Sequence, residues 1–197
     1  MDAVIIDSGG ANLASLQFAF ERLGAKTHVS ADPVQITSAE RVILPGVGSA
    51  ADAMSRLRKS GVAELLPTLT QPVLGICLGM QLLFERSEEG DTDCLGILPD
   101  KVKRLESAQG RPVPHMGWNQ LSPVRGDPLL DGISADEYVY FVHSFAVPVS
   151  ELTVASADYG IALSAIVRRG NFWGTQFHPE RSAKTGARVL ANFLRLS

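Results

Sequence analysis

The clearest chemical feature of the sequence is a cysteine between two glycines. Cys77 stands in the run Gly75-Ile76-Cys77-Leu78-Gly79, directly after an apolar segment and before a segment with helical periodicity. This strand–turn–helix pattern is typical of a nucleophile elbow, whose tight turn strains the nucleophile and leaves no room for side chains at the glycine positions. The helix N-terminus favours a thiolate. We therefore predict that Cys77 is a catalytic nucleophile, with a buried structural cysteine as the alternative.

A second segment could supply a base and the acid that orients it. His178 closes an apolar run, and Glu180 follows two positions later, with Pro179 stiffening the turn between them. Side chains at i and i+2 of a strand end point the same way, so the carboxylate could fix the imidazole. A Cys–His–Glu triad needs this arrangement. The alternative is a capping histidine beside a solvated glutamate.

A third segment could complete an oxyanion hole. Pro45-Gly46-Val47-Gly48 follows another apolar run. An elbow enzyme uses the N–H of the residue after the nucleophile and a second N–H from a neighbouring loop. The candidates are the N–H of Leu78 and an N–H from Val47 or Gly48, whereas a plain strand-to-helix turn is the alternative.

Short apolar runs alternate with helix-period segments, and these elements must position the three motifs. We predict an α/β fold with a mostly parallel central sheet flanked by helices and with additional antiparallel strands. Strands are expected at residues 4–6, 27–29, 42–44, 72–76, 138–142, 152–155, 161–167 and 172–177. Helices are expected after Asn12, a possible N-cap, after Asp32-Pro33, through Met54 and Leu57 to about Gly61, over residues 78–84 and at the C-terminus. Residues 90–132 predict short strands and loops, and residues 1–197 predict a single domain without repeats or linkers.

Composition limits the function classes. The chain has 197 residues, of which 45% are hydrophobic and 20% charged, an ordinary globular balance that excludes disorder. The net charge of −3 gives no reason to expect nucleic acid or an anionic membrane as a partner. No apolar run approaches the ~18–20 residues of a membrane span, and the acidic start lacks signal-peptide features. Two cysteines and four scattered histidines predict no disulfide framework and no metal site, which suits a reducing, cytoplasmic setting.

The three motifs together resemble class I (triad) glutamine amidotransferases. The resemblance rests on residues 45–48, 75–81 and 176–180, in family order and spread over nearly the whole chain. Within that family the chain is most similar to the glutaminase subunits of imidazole glycerol phosphate synthases of histidine biosynthesis, through residues 12–13, 45–48, 114–119 and 140–145. The resemblance implies a flavodoxin-like fold.

The resemblance also implies an activity. Glutamine would be hydrolysed to glutamate and ammonia through a thioester on Cys77, with His178 as base and then acid and Glu180 orienting it. The residues implied for holding the substrate are Gly48, Gln81, Ser144 and Phe145. No cofactor is implied.

A partner is implied by the same resemblance. Ammonia would pass to a (β/α)₈-barrel cyclase subunit, which makes imidazole glycerol phosphate and an aminoimidazole carboxamide ribotide, so the synthase would be a heterodimer. The resemblance places the following residues at the partner interface: Asn12, His115, Met116 and Trp118. For Trp118, a packed core position is the alternative.

Two rival functions remain. The first is another glutaminase subunit, of pyridoxal phosphate synthase or of a guanylate- or anthranilate-type enzyme, for which different loops at residues 45–49 and around Cys77 are expected. Residues 114–119 count against it. The second is a flavodoxin-like regulatory domain that uses the elbow cysteine for redox sensing. Such a domain needs no base, so His178 and Glu180 count against it.

Overall fold

The computed structural model describes residues 2–8 and 13–196, which form strands and helices in alternation. The strands are β1 (Asp2–Ile6), β2 (Lys26–Ser30), β3 (Arg41–Gly46), β4 (Val73–Cys77), β5 (Arg86–Ser87), β6 (Thr92–Asp93), β7 (Lys101–Arg104), β8 (His115–Gln120), β9 (Ser122–Pro123), β10 (Tyr138–His143), β11 (Phe145–Ala146), β12 (Thr153–Asp158), β13 (Ala162–Arg169) and β14 (Phe172–Thr175). The helices are α1 (Leu13–Glu21), α2 (Pro33–Ser38), α3 (Ala50–Lys59), α4 (Val62–Leu65), α5 (Leu78–Leu82) and α6 (Ala183–Arg195). No described helix has the length and apolar character that a membrane crossing requires.

The main sheet has eight strands in the order β2-β1-β3-β4-β14-β13-β12-β9. Neighbours from β2 to β14 run parallel, whereas the pairs from β14 to β9 run antiparallel. This confirms the predicted fold class. Strand β4 is buried along its whole length, as expected for a central parallel strand covered on both faces. The carboxyl ends of β3, β4 and β14 therefore meet at one edge of the sheet, where open α/β sheets bind ligands.

Two apolar layers cover the two faces of this sheet. Alternate residues of β1 belong to different layers, with Ile5 in one and Ile6 in the other. The predicted C-terminal helix is present as α6, which buries Val189, Leu190 and Phe193 in the layer that contains Ile5.

Local helix signals act largely as the sequence predicts. Helix α2 begins at Pro33, and the side chain of Asp32 accepts a hydrogen bond from the backbone N–H of Val34 at 2.9 Å. Asn12, the possible N-cap of α1, lies outside the described residues. Strand β14 ends at Thr175 rather than at residue 177, because the chain turns there toward β10, where the N–H of His178 donates to the carbonyl of Tyr140.

Residues 90–132, for which short strands and loops are predicted, contribute strands to two small sheets. Strands β11, β7, β5 and β6 make a four-stranded sheet in that order, and β8 pairs with β10 in an antiparallel ribbon. The prediction of short strands and loops there is confirmed. The ribbon brings the end of β10 close to the end of β4.

Candidate active site

Cys77 lies at the sharp turn between β4 and α5. Its φ of 55° and ψ of −112° are an unusual combination for a residue with a side chain. A Cβ at Gly79 would lie 1.8 Å from the carbonyl oxygen of Leu44, and one at Gly75 would lie 2.7 Å from the carbonyl oxygen of Gly79. The two glycines are therefore required because helix α5 starts in direct contact with β3 and β4. The turn has the geometry of a nucleophile elbow.

His178 and Glu180 follow β14, the strand next to β4, and so reach the same edge. Nδ1 of His178 lies 2.9 Å from Oε1 of Glu180, and the two side chains are only 9% and 3% exposed. The imidazole also interacts electrostatically with Cys77, and this interaction helps to raise the pKa of His178. Because Nδ1 faces the carboxylate, Nε2 is the ring atom left for the sulfur. The structure thus brings together the three residues of the predicted triad.

The protonated form of His178 is favoured at this position. Burial would lower the pKa of the imidazole, but its interaction with Cys77 and its hydrogen bond to Glu180, together with the negative charges of these partners, outweigh burial and raise the pKa. An imidazolium beside the sulfur can stabilise a thiolate and later supply a proton.

A cavity of about 480 Å³ opens beside Cys77. It is lined by Gly46, Val47, Gly48, Cys77, Leu78, Gln81, Glu89, Pro114, Val142, His143, Ser144, Phe145, His178 and Arg181. Every residue that the sequence suggested for the oxyanion hole or for substrate binding belongs to this lining. These residues and the nucleophile therefore meet in this cavity.

The loop after β3 runs directly alongside the elbow. Gly46 pairs with Cys77 in the parallel register of β3 and β4, so Val47 and Gly48 come next to the nucleophile. Gly48 has a φ of +90°, which L-residues with side chains rarely adopt. The hydroxyl of Ser8 donates to the carbonyl of Pro45 at 3.0 Å and ties the base of this loop to β1. This geometry is compatible with a second oxyanion donor from the Val47–Gly48 region.

Gln81 is buried one helical turn after the nucleophile. Its Nε2 donates to the carbonyl of Phe145 at 2.8 Å and to Oε1 of Gln176 at 3.0 Å. Both amide protons are engaged in this way, so a ligand in the cavity would meet the carbonyl end of Gln81.

Sequence reasoning missed two charged residues of the cavity. Glu89 lies in a 3₁₀ turn at residues 89–91, and its Oε2 accepts from the N–H of Ala50, at the N-terminus of α3, at 2.8 Å. Arg181 follows directly after Glu180. Within one cavity, a carboxylate and a guanidinium suit the ammonium and carboxylate of an α-amino acid. For Glu89 the sequence offers only an acidic stretch, which is usually a solvated surface.

The residues implied for the partner interface separate into two groups. Met116 and Trp118 are 64% and 53% exposed on β8, whereas His115 is only 3% exposed. The ring of His115 stacks on Tyr159 at 4.0 Å and on Phe141 at 4.8 Å between centroids. Alternation along the strand is the physical reason. The side chain of His115 therefore belongs to the interior and not to the exposed surface, and Asn12 lies outside the described residues.

The second cysteine has a different environment. Burial raises the pKa of the Cys94 thiol to about 11, and the nearby charges of Arg58, Asp93 and Glu89 modify this effect only in part. Cys94 therefore stays protonated at neutral pH. Across residues 2–8 and 13–196, no group of three or more His, Cys, Asp or Glu side chains has the spacing of a metal site.

The order of the strands and the triad of Cys77, His178 and Glu180 agree with the family that the sequence matches. Residues 4–196 match the family model for class-I glutamine amidotransferases. Among solved structures, the chain is similar to a glutamine amidotransferase (TM-score 0.75, 20% identity, covering 98% of this chain and 96% of that one). It is also similar to PurLQS from Thermotoga maritima (TM-score 0.71, 20% identity, covering 98% and 97%). At this identity the solved structures support the fold alone.

Relatives that match over the full length of the chain identify the branch of the family. The chain is 56% identical over 196 residues to the imidazole glycerol phosphate synthase subunit HisH of Xanthomonas campestris pv. campestris (strain 8004), covering 100% of this chain and 98% of the relative. It is 55% identical to the HisH subunit of Idiomarina loihiensis, covering 100% and 99%, and 53% identical to that of Xylella fastidiosa, covering 99% and 98%. The chain therefore belongs to the class-I glutamine amidotransferase family, in the branch formed by the HisH subunits of imidazole glycerol phosphate synthase.

Proposed function

We propose that this chain hydrolyses L-glutamine to glutamate and ammonia as the glutaminase subunit of an imidazole glycerol phosphate synthase in histidine biosynthesis. The observation that carries the proposal is the strained Cys77 in the same cavity lining as His178, whose Nδ1 is hydrogen-bonded to Glu180 at 2.9 Å and whose pKa the sulfur helps to raise. Family membership and the full-length relatives support the same reaction.

The chemistry follows from these contacts. The Cys77 thiolate attacks the γ-carboxamide carbon, and the N–H of Leu78 with one from Val47 or Gly48 stabilises the oxyanion that forms. His178 donates its proton to the departing nitrogen, so ammonia leaves and a γ-glutamyl thioester remains. Water, deprotonated by the now neutral His178, then attacks the thioester and releases glutamate. Glu180 keeps the imidazole oriented throughout.

The charged lining of the cavity supports an α-amino acid as the substrate. The Glu89 carboxylate and the carbonyl end of Gln81 would accept from the α-ammonium, while Arg181 would pair with the α-carboxylate. Backbone groups of Ser144 and Phe145 would complete this end of the pocket. Glutamine fits because its amide lies at the far end of a flexible chain from these charges.

We propose further that the partner is a (β/α)₈-barrel cyclase that forms a heterodimer with this chain in the cytoplasm. The exposed Met116 and Trp118 on β8, together with Tyr138 on β10, form an apolar ribbon surface beside the cavity. Trp and Tyr side chains are common interface anchors. A sealed interface would keep ammonia neutral, since ammonium is not nucleophilic.

Release of ammonia and glutamate from glutamine tests the reaction, both with the isolated chain and with the cyclase. Cys77→Ala should abolish turnover, because no other thiol reaches His178. Cys94→Ala is the matched control and should keep wild-type turnover, because its thiol lies away from the cavity. Substantial turnover by Cys77→Ala would overturn the proposed reaction.

The partner surface is tested by affinity for the cyclase. Trp118→Ala should weaken binding at least about tenfold, as for a central aromatic anchor. Val34→Ala is the control, because Val34 is exposed on α2, away from the ribbon. Equal affinities for wild type and Trp118→Ala would exclude the ribbon as the docking surface.

A further inference from the structure

A row of hydrogen-bonded side chains, buried at His115, His143 and Gln81, connects the ribbon to the substrate cavity. Nδ2 of Asn119 lies 3.3 Å from Nε2 of His115, whose Nδ1 lies 3.0 Å from Nε2 of His143. Nδ1 of His143 lies 2.8 Å from the carbonyl oxygen of Phe145. That same carbonyl accepts from Nε2 of Gln81 at 2.8 Å. The row therefore ends on the group that orients Gln81.

The backbone at both ends fixes where the protons lie. The carbonyl of Phe145 can only accept, so Nδ1 of His143 carries a proton and its Nε2 accepts from Nδ1 of His115. At the other end, Oδ1 of Asn119 accepts from the N–H of Gln120 at 2.8 Å, so Nδ2 is the atom that faces His115. Every donor then meets an acceptor, with both imidazoles neutral and protonated on Nδ1.

The surroundings favour the neutral rings. Burial lowers the pKa of His115 to about 4. Burial is also the main reason that the pKa of His143 is lowered to about 3. The hydrogen bond to the Phe145 carbonyl opposes this effect, whereas the charges of His115 and His178 add to it. A proton added to either ring would place two N–H groups face to face. The row is thus a fixed structural feature across neutral pH.

We infer that His143, oriented by His115 and Asn119, is a positioning residue that holds the Phe145 carbonyl and, through it, the substrate-facing end of Gln81. This inference rests on the proposed glutaminase function, because it assigns the row to binding the α-end of glutamine. None of the four hydrogen bonds of the row has Cys77 or His178 as a partner. Its loss should therefore weaken glutamine binding and leave the chemical step largely intact.

The tautomers can be measured without any activity assay. Two-dimensional ¹H–¹⁵N NMR of the imidazole rings in the full chain at neutral pH distinguishes a proton on Nδ1 from one on Nε2. Neutral rings with the proton on Nδ1 are expected for both His115 and His143. A proton on Nε2 of His143, or a protonated ring, would overturn the inference.

Kinetics in the complex with the cyclase give the second test. His143→Leu removes the donor and should raise KM for glutamine about five- to tenfold, as for one lost hydrogen bond, with kcat within about twofold. His143→Asn can place its amide near the lost Nδ1 and should restore most of the affinity. His115→Phe keeps the stacking but loses the donor to His143, so it should raise KM by a smaller factor.

The control is Tyr159→Phe, which keeps the ring that stacks on His115 and loses only a hydroxyl that donates to the carbonyl of Pro112 at 2.7 Å. Its KM should equal that of wild type. An unchanged KM in both His143→Leu and His115→Phe, a loss confined to kcat, or no recovery in His143→Asn would each overturn the inference. A wild type that does not hydrolyse glutamine at all would instead refute the proposed function.

Discussion

Replacing Glu180 by glutamine tests the part of the site that connects burial, charge and catalysis. Gln can still accept from Nδ1 of His178 through its Oε1, so the ring keeps its orientation while the negative charge disappears. The pair is buried and its hydrogen bond is 2.9 Å long, so little solvent is available to replace the lost charge.

The magnitude follows from the type of contact. A hydrogen bond to a charged group contributes about 1.5–3 kcal/mol, whereas a neutral one contributes about 1 kcal/mol. The difference of about 0.5–2 kcal/mol should therefore lower kcat/KM about two- to thirtyfold, at about 1.4 kcal/mol for each factor of ten. Because the Glu180 carboxylate helps to raise the pKa of His178 against the opposing effect of burial, that pKa should fall in the variant.

The assay is the pH profile of glutamine hydrolysis in the complex with the cyclase. Protonated His178 supplies the proton to ammonia, so a lower pKa means that activity declines at a lower pH on the alkaline side. Glu64→Gln is the control, because Glu64 is exposed on α4 and should leave the profile unchanged. Wild-type kcat/KM with an unshifted alkaline limb in Glu180→Gln would refute the account of this pair.

Two further predictions concern the elbow and the buried histidines. Gly79→Ala should abolish hydrolysis and lower the free energy of unfolding by several kcal/mol in urea titrations, because its Cβ would lie 1.8 Å from the carbonyl oxygen of Leu44. Gly126→Ala is the control and should change neither property, because the space around its Cβ is open. A stable and active Gly79→Ala variant would contradict the packing argument. His115 and His143 have pKa values below that of a histidine in the unfolded chain, so the unfolded state binds more protons as the pH falls below about 6.5. The free energy of unfolding should therefore be unaffected by the titration of these rings above about pH 6.5. It should decrease toward pH 4 by up to about 1.4 kcal/mol per pH unit for each ring. Urea titrations at falling pH should show a shallower loss in the His115→Phe/His143→Asn double variant than in wild type, and equal slopes would count against neutral buried rings.

The sequence alone predicted the parts of this protein that depend on local chain geometry. The glycines around Cys77 indicated the elbow because only residues without a side chain fit where a helix starts against two strands. Asp32-Pro33 indicated the start of α2, since a cap and a proline act within one helical turn. Short apolar runs that alternate with helix-period segments likewise predicted the fold class. A parallel strand that is buried on both faces needs a continuous apolar run, and a helix must connect it to the next strand.

Tertiary structure decided which distant residues share the cavity. Glu89 and Arg181 enter it because the 3₁₀ turn packs at the start of α3 and because β14 lies next to β4, and no local pattern encodes either neighbour. The pairing of β8 with β10 turned His115 inward and joined it to His143. Side-chain direction in a strand and the path of a loop depend on what packs against them, and that information is spread over the whole chain.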